Sequence, residues 1–268
     1  MRWLKMINLK NDLQLAKMRS AGHLLYDVLC QAKEFIQPGI TTMDINHFVD
    51  EKIRKGRGIP TELGYCGYPA SICASIDDEV VHGIPSKHVR LEEGSIISID
   101  VTLALDGWQA DSCFSKGVGK ISEEKETLMR VTEECFWLGA KQALDGNRIG
   151  DVSHAVQQHA EGHGYGVVRD LTGHGIGREM HEDPSVPNFG EPGRGVRIRR
   201  GMTFCIEPMI AMGRWQVHQL ADGWTIVTND HSPAAHYEHT IAITNGLPEI
   251  LTFPDFSWDK VPKGVNFI

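Results

Sequence analysis

The sequence predicts an α+β fold, and three observations carry that expectation. Helix-period apolar spacing fills residues 12–36 and the stretch after Thr42, after which strand-like runs dominate from Ala70 to Val118. The same order recurs, with helical patterns after Ser122 and over Val152 to Ala160 and strands from Gly166 onward. A short internal echo accompanies it: Gly94-Ser95-Ile96-Ile97-Ser98-Ile99-Asp100 and Gly201-Met202-Thr203-Phe204-Cys205-Ile206-Glu207 both place an acid six residues after a glycine. Each follows a His-Gly-Ile word, at His82 and His174. The echo alone is too short to define a repeat.

Taken in order, the first helix carries Leu15, Met18, Leu25, Leu29, Ala32 and Ile36 on one side, and Pro38-Gly39 stops it. Thr42 is placed to cap a second helix whose apolar face is Ile45, Phe48, Val49 and Ile53. Ser122 can cap a third, with Glu123 and Glu124 in its first turn and Leu128, Val131, Cys135 and Leu138 on one side. Between the second and third helices, Asp106-Gly107 is a strong turn signal between apolar runs, so the segment from Asp100 to Asp111 reads as part of a hairpin that brings both carboxylates to one place. The run Met202 to Glu207 ends at Pro208, which cannot donate to a strand ladder. His239 to Thr244 is rich in β-branched residues and reads as a strand.

No Pro/Ser-rich linker or charge block divides the 268 residues, and 41% apolar content supports one sizeable core. One domain over residues 1–268 is expected, with its core at about 11–253. The net charge of −8 argues against nonspecific nucleic-acid binding; the basic knot Arg197-Ile198-Arg199-Arg200 reads as a solvated loop before a strand. Arg2, Lys5 and Lys10 are followed by no apolar signal-peptide core, and no run is long enough to span a membrane, so a cytoplasmic location is the default expectation. The six cysteines form no C-x-x-C pair and read as reduced thiols.

Five residues stand out: Asp100, Asp111, His174, Glu207 and Glu238. Each lies in or beside a strand-like run, where an unpartnered acid is costly to bury. Four carboxylates and one imidazole are the donors that a pair of divalent cations needs, because anionic oxygens shared between the ions offset their repulsion. Structural ion-pair networks also gather acids, so the surrounding words matter. Those words are Leu63-Gly64-Tyr65-Cys66-Gly67-Tyr68-Pro69, Val81-His82-Gly83-Ile84-Pro85, Gly173-His174-Gly175-Ile176-Gly177, His181-Glu182-Asp183-Pro184, Gly201-Met202-Thr203-Phe204, Ile206-Glu207-Pro208-Met209 and Tyr237-Glu238-His239-Thr240. In this order, from about Asn11 to Phe253, the chain resembles the bacterial-like type I methionine aminopeptidases.

The resemblance implies a pita-bread fold, two pseudo-symmetric halves presenting ligands from a central curved antiparallel sheet. It implies two divalent ions, with Asp111 and Glu238 bridging, Asp100 on one ion and His174 with Glu207 completing the other. Mn, Fe(II) or Co suits that donor set, and Zn is compatible. His82 and His181 match catalytic histidines that bond the substrate amide and stabilise the tetrahedral intermediate, and Glu207 doubles as proton shuttle. Tyr65, Tyr68, Cys73 and Trp224 stand where the family builds its methionine pocket, with His82 and His181 also touching substrate. The implied activity is removal of the initiator methionine from nascent proteins with a small second residue, through a water activated by the two metals. A transient ribosome contact and a monomer accompany that reading. Met180, His236 and Glu62 depart from the family pattern, where Phe, Gln and a small residue or Cys are frequent, which bears on specificity. Two competitors share the fold: an X-Pro aminopeptidase or prolidase, which usually carries an added N-terminal domain, and a binding module that has lost its metal.

Overall fold

Both helix-then-strand blocks are present in the computed structural model, in which residues 7–261 are described. Arg2 and Lys5 lie outside the described residues. The helices are α1 (Asp12–Phe35), α2 (Thr42–Lys55), α3 (Glu123–Gln142) and α4 (Ile149–Gly162). Asn11 caps α1 through a reciprocal box with Gln14, and Ser122 caps α3 as expected. The α2 cap is Thr41, one residue before the expected Thr42: its hydroxyl accepts from Asp44 N–H while the Asp44 carboxylate accepts from Thr41 N–H. Thr42 instead exchanges hydrogen bonds with the Ser86 backbone. Helix α4 begins three residues before Val152, at Ile149, because Asp151 accepts from Arg148 N–H and secures a first turn that apolar periodicity does not reveal.

Nine strands form the main sheet: β1 (Ile59–Pro60), β2 (Cys73–Ile76), β3 (Ile96–Leu105), β4 (Trp108–Gly117), β5 (Thr172–Gly175), β6 (Glu182–Pro187), β7 (Thr203–Ile206), β8 (Glu238–Ala242) and β9 (Glu249–Ile250). Their order is β1-β3-β4-β8-β7-β5-β6, with β2 also on β3 and β9 also on β8, and every pairing is antiparallel. The expected hairpin is β3–β4. Asp106 and Gly107 both take positive φ (51° and 73°), as a two-residue type I′ turn requires. Gly94 and Gly201, which open the two echoed words, also take positive φ just before their strands, so the echo has a structural counterpart.

Alternation along the strands sorts the two sheet faces. Ile97, Ile99, Val101 and Leu103 of β3, with Ala110 and Phe114 of β4, pack into one core with Leu25, Val28 and Leu29 of α1 and Ile45, Val49 and Ile53 of α2. Phe204, Ile206 and Ile241 pack into another with Phe136 and Trp137 of α3 and Val152 of α4. Helices therefore cover one face of the sheet throughout, and burial of these side chains is the main stabilising term. The opposite face carries Ser98, Asp100, Asp111 and Glu238.

The segment before α1 is tied into this arrangement. Lys10 N–H donates to Gly201 O, and its buried ammonium pairs with Glu182 Oε2 at 2.6 Å. Glu182 Oε1 accepts from Arg178 N–H, so this pair braces the loop between β5 and β6 that carries His181. Lys10→Ala leaves a buried carboxylate without its cation, and unfolding in urea is expected to show a loss of about 3–5 kcal/mol.

Candidate functional site

Register alone gathers the five sequence-selected residues. Asp100 of β3 lies opposite Cys113 of β4, and Cys113 lies opposite Glu238 of β8, so the Asp100 and Glu238 side chains leave the same face. Asp111 is two residues before Cys113 and shares that face, opposite Thr102. On the far side of β8, Thr240 lies opposite Cys205 of β7, and Glu207 follows Cys205 by two. Gly175 of β5 lies opposite Phe204, which points into the helix-covered core, so its neighbour His174 points the other way. Four strands, β3, β4, β8 and β5, thus each contribute one residue to the face without helices, and Glu207 joins them from just past the end of β7.

His174 Nε2 lies 3.7 Å from Asp111 Oδ2 and 3.6 Å from Glu207 Oε1. Its Nδ1 donates to Gly175 O at 3.0 Å, which leaves the Nε2 lone pair facing the carboxylates. One donor atom from each of Asp111, His174, Cys205 and Glu238 falls within 4.8 Å of the others. Asp100 Oδ1, Asp111 Oδ1, Glu207 Oε1 and Glu238 Oε1 are buried atoms without a hydrogen-bond donor among the described residues. No lysine or arginine among the described residues lines the cavity around them. Burial first, and the neighbouring carboxylates second, push the Asp111, Glu207 and Glu238 carboxyls far above the ordinary range, and burial lifts Asp100 to about 7. Four carboxylates converging without a protein cation is an arrangement that divalent metal resolves, and oxygen donors with one imidazole fit such an ion.

The cavity beside this centre has a volume of about 220 Å³. Cys73 of β2 lies opposite Asp100 of β3, which places the cavity's sulfur wall next to the acidic face. Tyr68 Oη lies 3.1 Å from Ile72 O and 3.0 Å from Gly83 O, and its ring meets Trp224 edge-on at 5.0 Å. Tyr65 lies across the opening, its Oη 2.7 Å from His181 Nδ1. His82 also lines the cavity, 6.3 Å ring to ring from Trp224. Its φ of +59° is a left-handed conformation that a β-carbon makes costly, which singles it out as a held position. Burial draws the pKa values of both imidazoles below the usual one, and the neighbouring His181 charge adds to the effect on His82. Both are therefore neutral at pH 7.

All eleven candidate residues named from the sequence meet at this centre or its cavity. Three neighbours named there only as departures from a pattern prove to be part of the wall. Glu62 is buried, with Oε1 accepting from Thr102 N–H at 2.9 Å and Oε2 from Cys73 Sγ at 3.2 Å. His236 is buried with Nε2 3.9 Å from Glu238 Oε2, and burial takes its pKa down to about 3. The i, i+2 spacing of His236 and Glu238 was a signal for the second; nothing local marks Glu62. Met180 is buried and lines the cavity. Cys205, read as a plain reduced thiol, lies beneath the centre. Among the described residues all six cysteines are free, and no helix is long and apolar enough to cross a membrane.

The model of metallopeptidase family M24 matches residues 16–245. A methionine aminopeptidase of Clostridium acetobutylicum is 49% identical over 247 residues, covering 92% of this chain and 99% of that protein. The crystal structure of a methionine aminopeptidase from Thermotoga maritima superposes with a TM-score of 0.91 at 44% identity, covering 92% of this chain and 99% of that one. A prolidase from Pyrococcus furiosus shares the fold, with a TM-score of 0.72 at 18% identity, over 92% of this chain and 66% of that chain.

Proposed function

This chain belongs to metallopeptidase family M24, and from its 49% identity to a methionine aminopeptidase over 92% of its length we infer that it is a metal-dependent aminopeptidase that removes N-terminal methionine. The observation that carries the reading is the sheet face on which five adjacent strands collect Asp100, Asp111, His174, Glu207 and Glu238. In this proposal these residues hold two divalent ions, Mn, Fe(II) or Co, with Zn compatible, and Asp111 and Glu238 serve both. Bound there, such ions supply Lewis acidity toward the scissile carbonyl and make water acidic near neutral pH.

The protein's own groups supply the rest. Glu207, at the end of β7, accepts a proton from the attacking water and passes it to the departing amine. With the Tyr65 hydroxyl donating to Nδ1, His181 keeps its proton on Nε2 and can donate to the oxygen that gains charge in the tetrahedral state. His82, neutral and held in its left-handed backbone, bonds the substrate amide. Tyr68, Cys73 and Trp224, with Tyr65 at the opening, surround the methionine side chain with aromatic faces and sulfur, which suit a thioether. The β2–β3 pairing sets Cys73, in the cavity wall, opposite Asp100 of the acidic centre. The substrates we propose are nascent polypeptides with a small second residue, met in the cytoplasm by a monomer in transient contact with the ribosome. One catalytic domain spans the chain in this account.

Product analysis of a Met-Ala-Ser and an Ala-Pro-Ser peptide tests the reading. Methionine is expected from the first, the second should stay intact, and a chelator should stop the reaction. Faster release of alanine from the X-Pro peptide would move the assignment to the other branch of the fold. Met180 supplies a finer test, because its flexible side chain lines the cavity. Met180→Phe keeps the wall apolar but stiffens it. Turnover of Met-Gly and Met-Ala peptides should be spared while kcat/KM for Met-Val and Met-Thr falls further. An unchanged ratio across the four would remove Met180 from the specificity surface.

A further inference from the structure

On the helix-covered side of the sheet, away from the acidic face, α3 and α4 bring together a second set of metal donors. Glu134 lies inside α3 and is 5% exposed. His159 lies in the last turn of α4, and His163 caps that helix four residues on, so both imidazoles leave the same side. One donor atom from each of the three lies within 4.8 Å of the other two. His159 Nε2 is 2.8 Å from Glu134 Oε2, and the two imidazole rings are 4.6 Å apart at 62°. His163 Nδ1 donates to His159 O at 2.9 Å, which fixes the tautomer and leaves Nε2 with a free lone pair. That backbone hydrogen bond is the usual outer-shell partner of a metal-ligating histidine. Arg130 Nη1 donates to Glu134 Oε1 at 2.6 Å, orienting the carboxylate so that Oε2 faces the histidines.

We propose that Glu134, His159 and His163 form a surface site for a borderline divalent ion, zinc above all and nickel or cobalt next, separate from the peptidase centre. Two nitrogens and one carboxylate oxygen are a three-ligand zinc set with a fourth position open to water. A tetrahedral ion with ligands at about 2.0–2.1 Å holds neighbouring donors about 3.3 Å apart, so the 2.8 Å contact between His159 and Glu134 opens by about half an ångström. The ion takes the position of the proton between those two atoms, and the neutral imidazole carries its proton on Nδ1 instead. Since His163 is exposed, a small shift of its side chain that keeps the Nδ1 bond to His159 O completes the set without disturbing the core. The ion then joins the end of α4 to the middle of α3, which Cys135 and Val156 already hold together lower down.

The test compares the intact enzyme with His163→Ala, an exposed residue placed in no part of the peptidase machinery. Both are dialysed against buffered zinc, and bound metal is counted by mass spectrometry; Met-Ala-Ser turnover is then measured in Mn(II). The wild type is expected to hold one more zinc per chain than the variant, with turnover unchanged. His159→Gln should lose the same equivalent, which guards against a folding defect in either variant; their metal-free melting curves provide the check. Equal zinc counts in wild type and both variants would overturn the proposal and leave the three residues as a polar network. Loss of zinc in step with loss of turnover would overturn it too, since the site would then not be separate.

Discussion

Asp111→Ala and Glu238→Ala are each expected to abolish peptidase activity, with kcat/KM falling by at least about 10³-fold, and to lower the divalent metal bound at the centre. The expectation follows from position. The carboxylates stand on β4 and β8, the second and third of the five strands that build the site, so each has donor-bearing strands on either side. Removing one withdraws anionic charge from both proposed ions, and several kcal/mol of transition-state stabilisation leave with them. Near-wild-type turnover in a metal-replete Asp111→Ala enzyme would sink the shared-ligand arrangement.

The same crowding makes a pH prediction for metal-free protein. Burial and mutual repulsion raise the folded-state pKa values of Asp111, Glu207 and Glu238, and burial raises that of Asp100 to about 7. The folded state then binds more protons than the unfolded state once pH exceeds the unfolded values near 4, so stability falls as pH rises from there through 7. Divalent metal should reverse that slope, and urea titrations at several pH values with and without metal would record it.

His181→Ala separates catalysis from metal retention. Its ring packs 4.2 Å from that of His174 yet is anchored by Tyr65 rather than by a carboxylate. Metal content should stay near that of the wild type while kcat drops by about 10²–10³, the usual loss for one donor to a developing oxyanion. Tyr65→Phe should give a smaller loss of the same kind, because it frees the imidazole without removing it. Metal content collapsing together with activity would make His181 a ligand or a structural support instead.

Much of this centre was legible before any coordinates. The Asp106-Gly107 turn and the run on either side of it identify the β3–β4 hairpin, and period-2 alternation then puts Asp100 and Asp111 on one face. What alternation cannot supply is strand order. That β8 inserts between β4 and β7, about 120 residues from one and 30 from the other, follows from packing the helices on one side and is visible only in the fold. Thr41 and Thr42 are both competent caps, and the choice between them fell to Ser86, a partner 44 residues away. Glu62 gave no local sign of its place against Cys73, because a contact between a turn and a neighbouring strand has no sequence period. Three-residue strands such as Val217–Gln219 and Ile226–Thr228 are likewise too short to show one.

One measurement tests the central claim most directly: titration of chelator-stripped enzyme with Mn(II) while Met-Ala-Ser hydrolysis and bound metal are followed together. Manganese favours the oxygen-rich centre over the two-histidine cluster on α3 and α4. The account predicts no turnover in the stripped enzyme, then turnover that returns in step with metal binding and is complete at no more than two ions per chain. It also predicts that Asp111→Ala fails to recover under the same titration. Methionine release by the stripped enzyme at the full rate, or recovery of the Asp111→Ala enzyme to that rate, would contradict it.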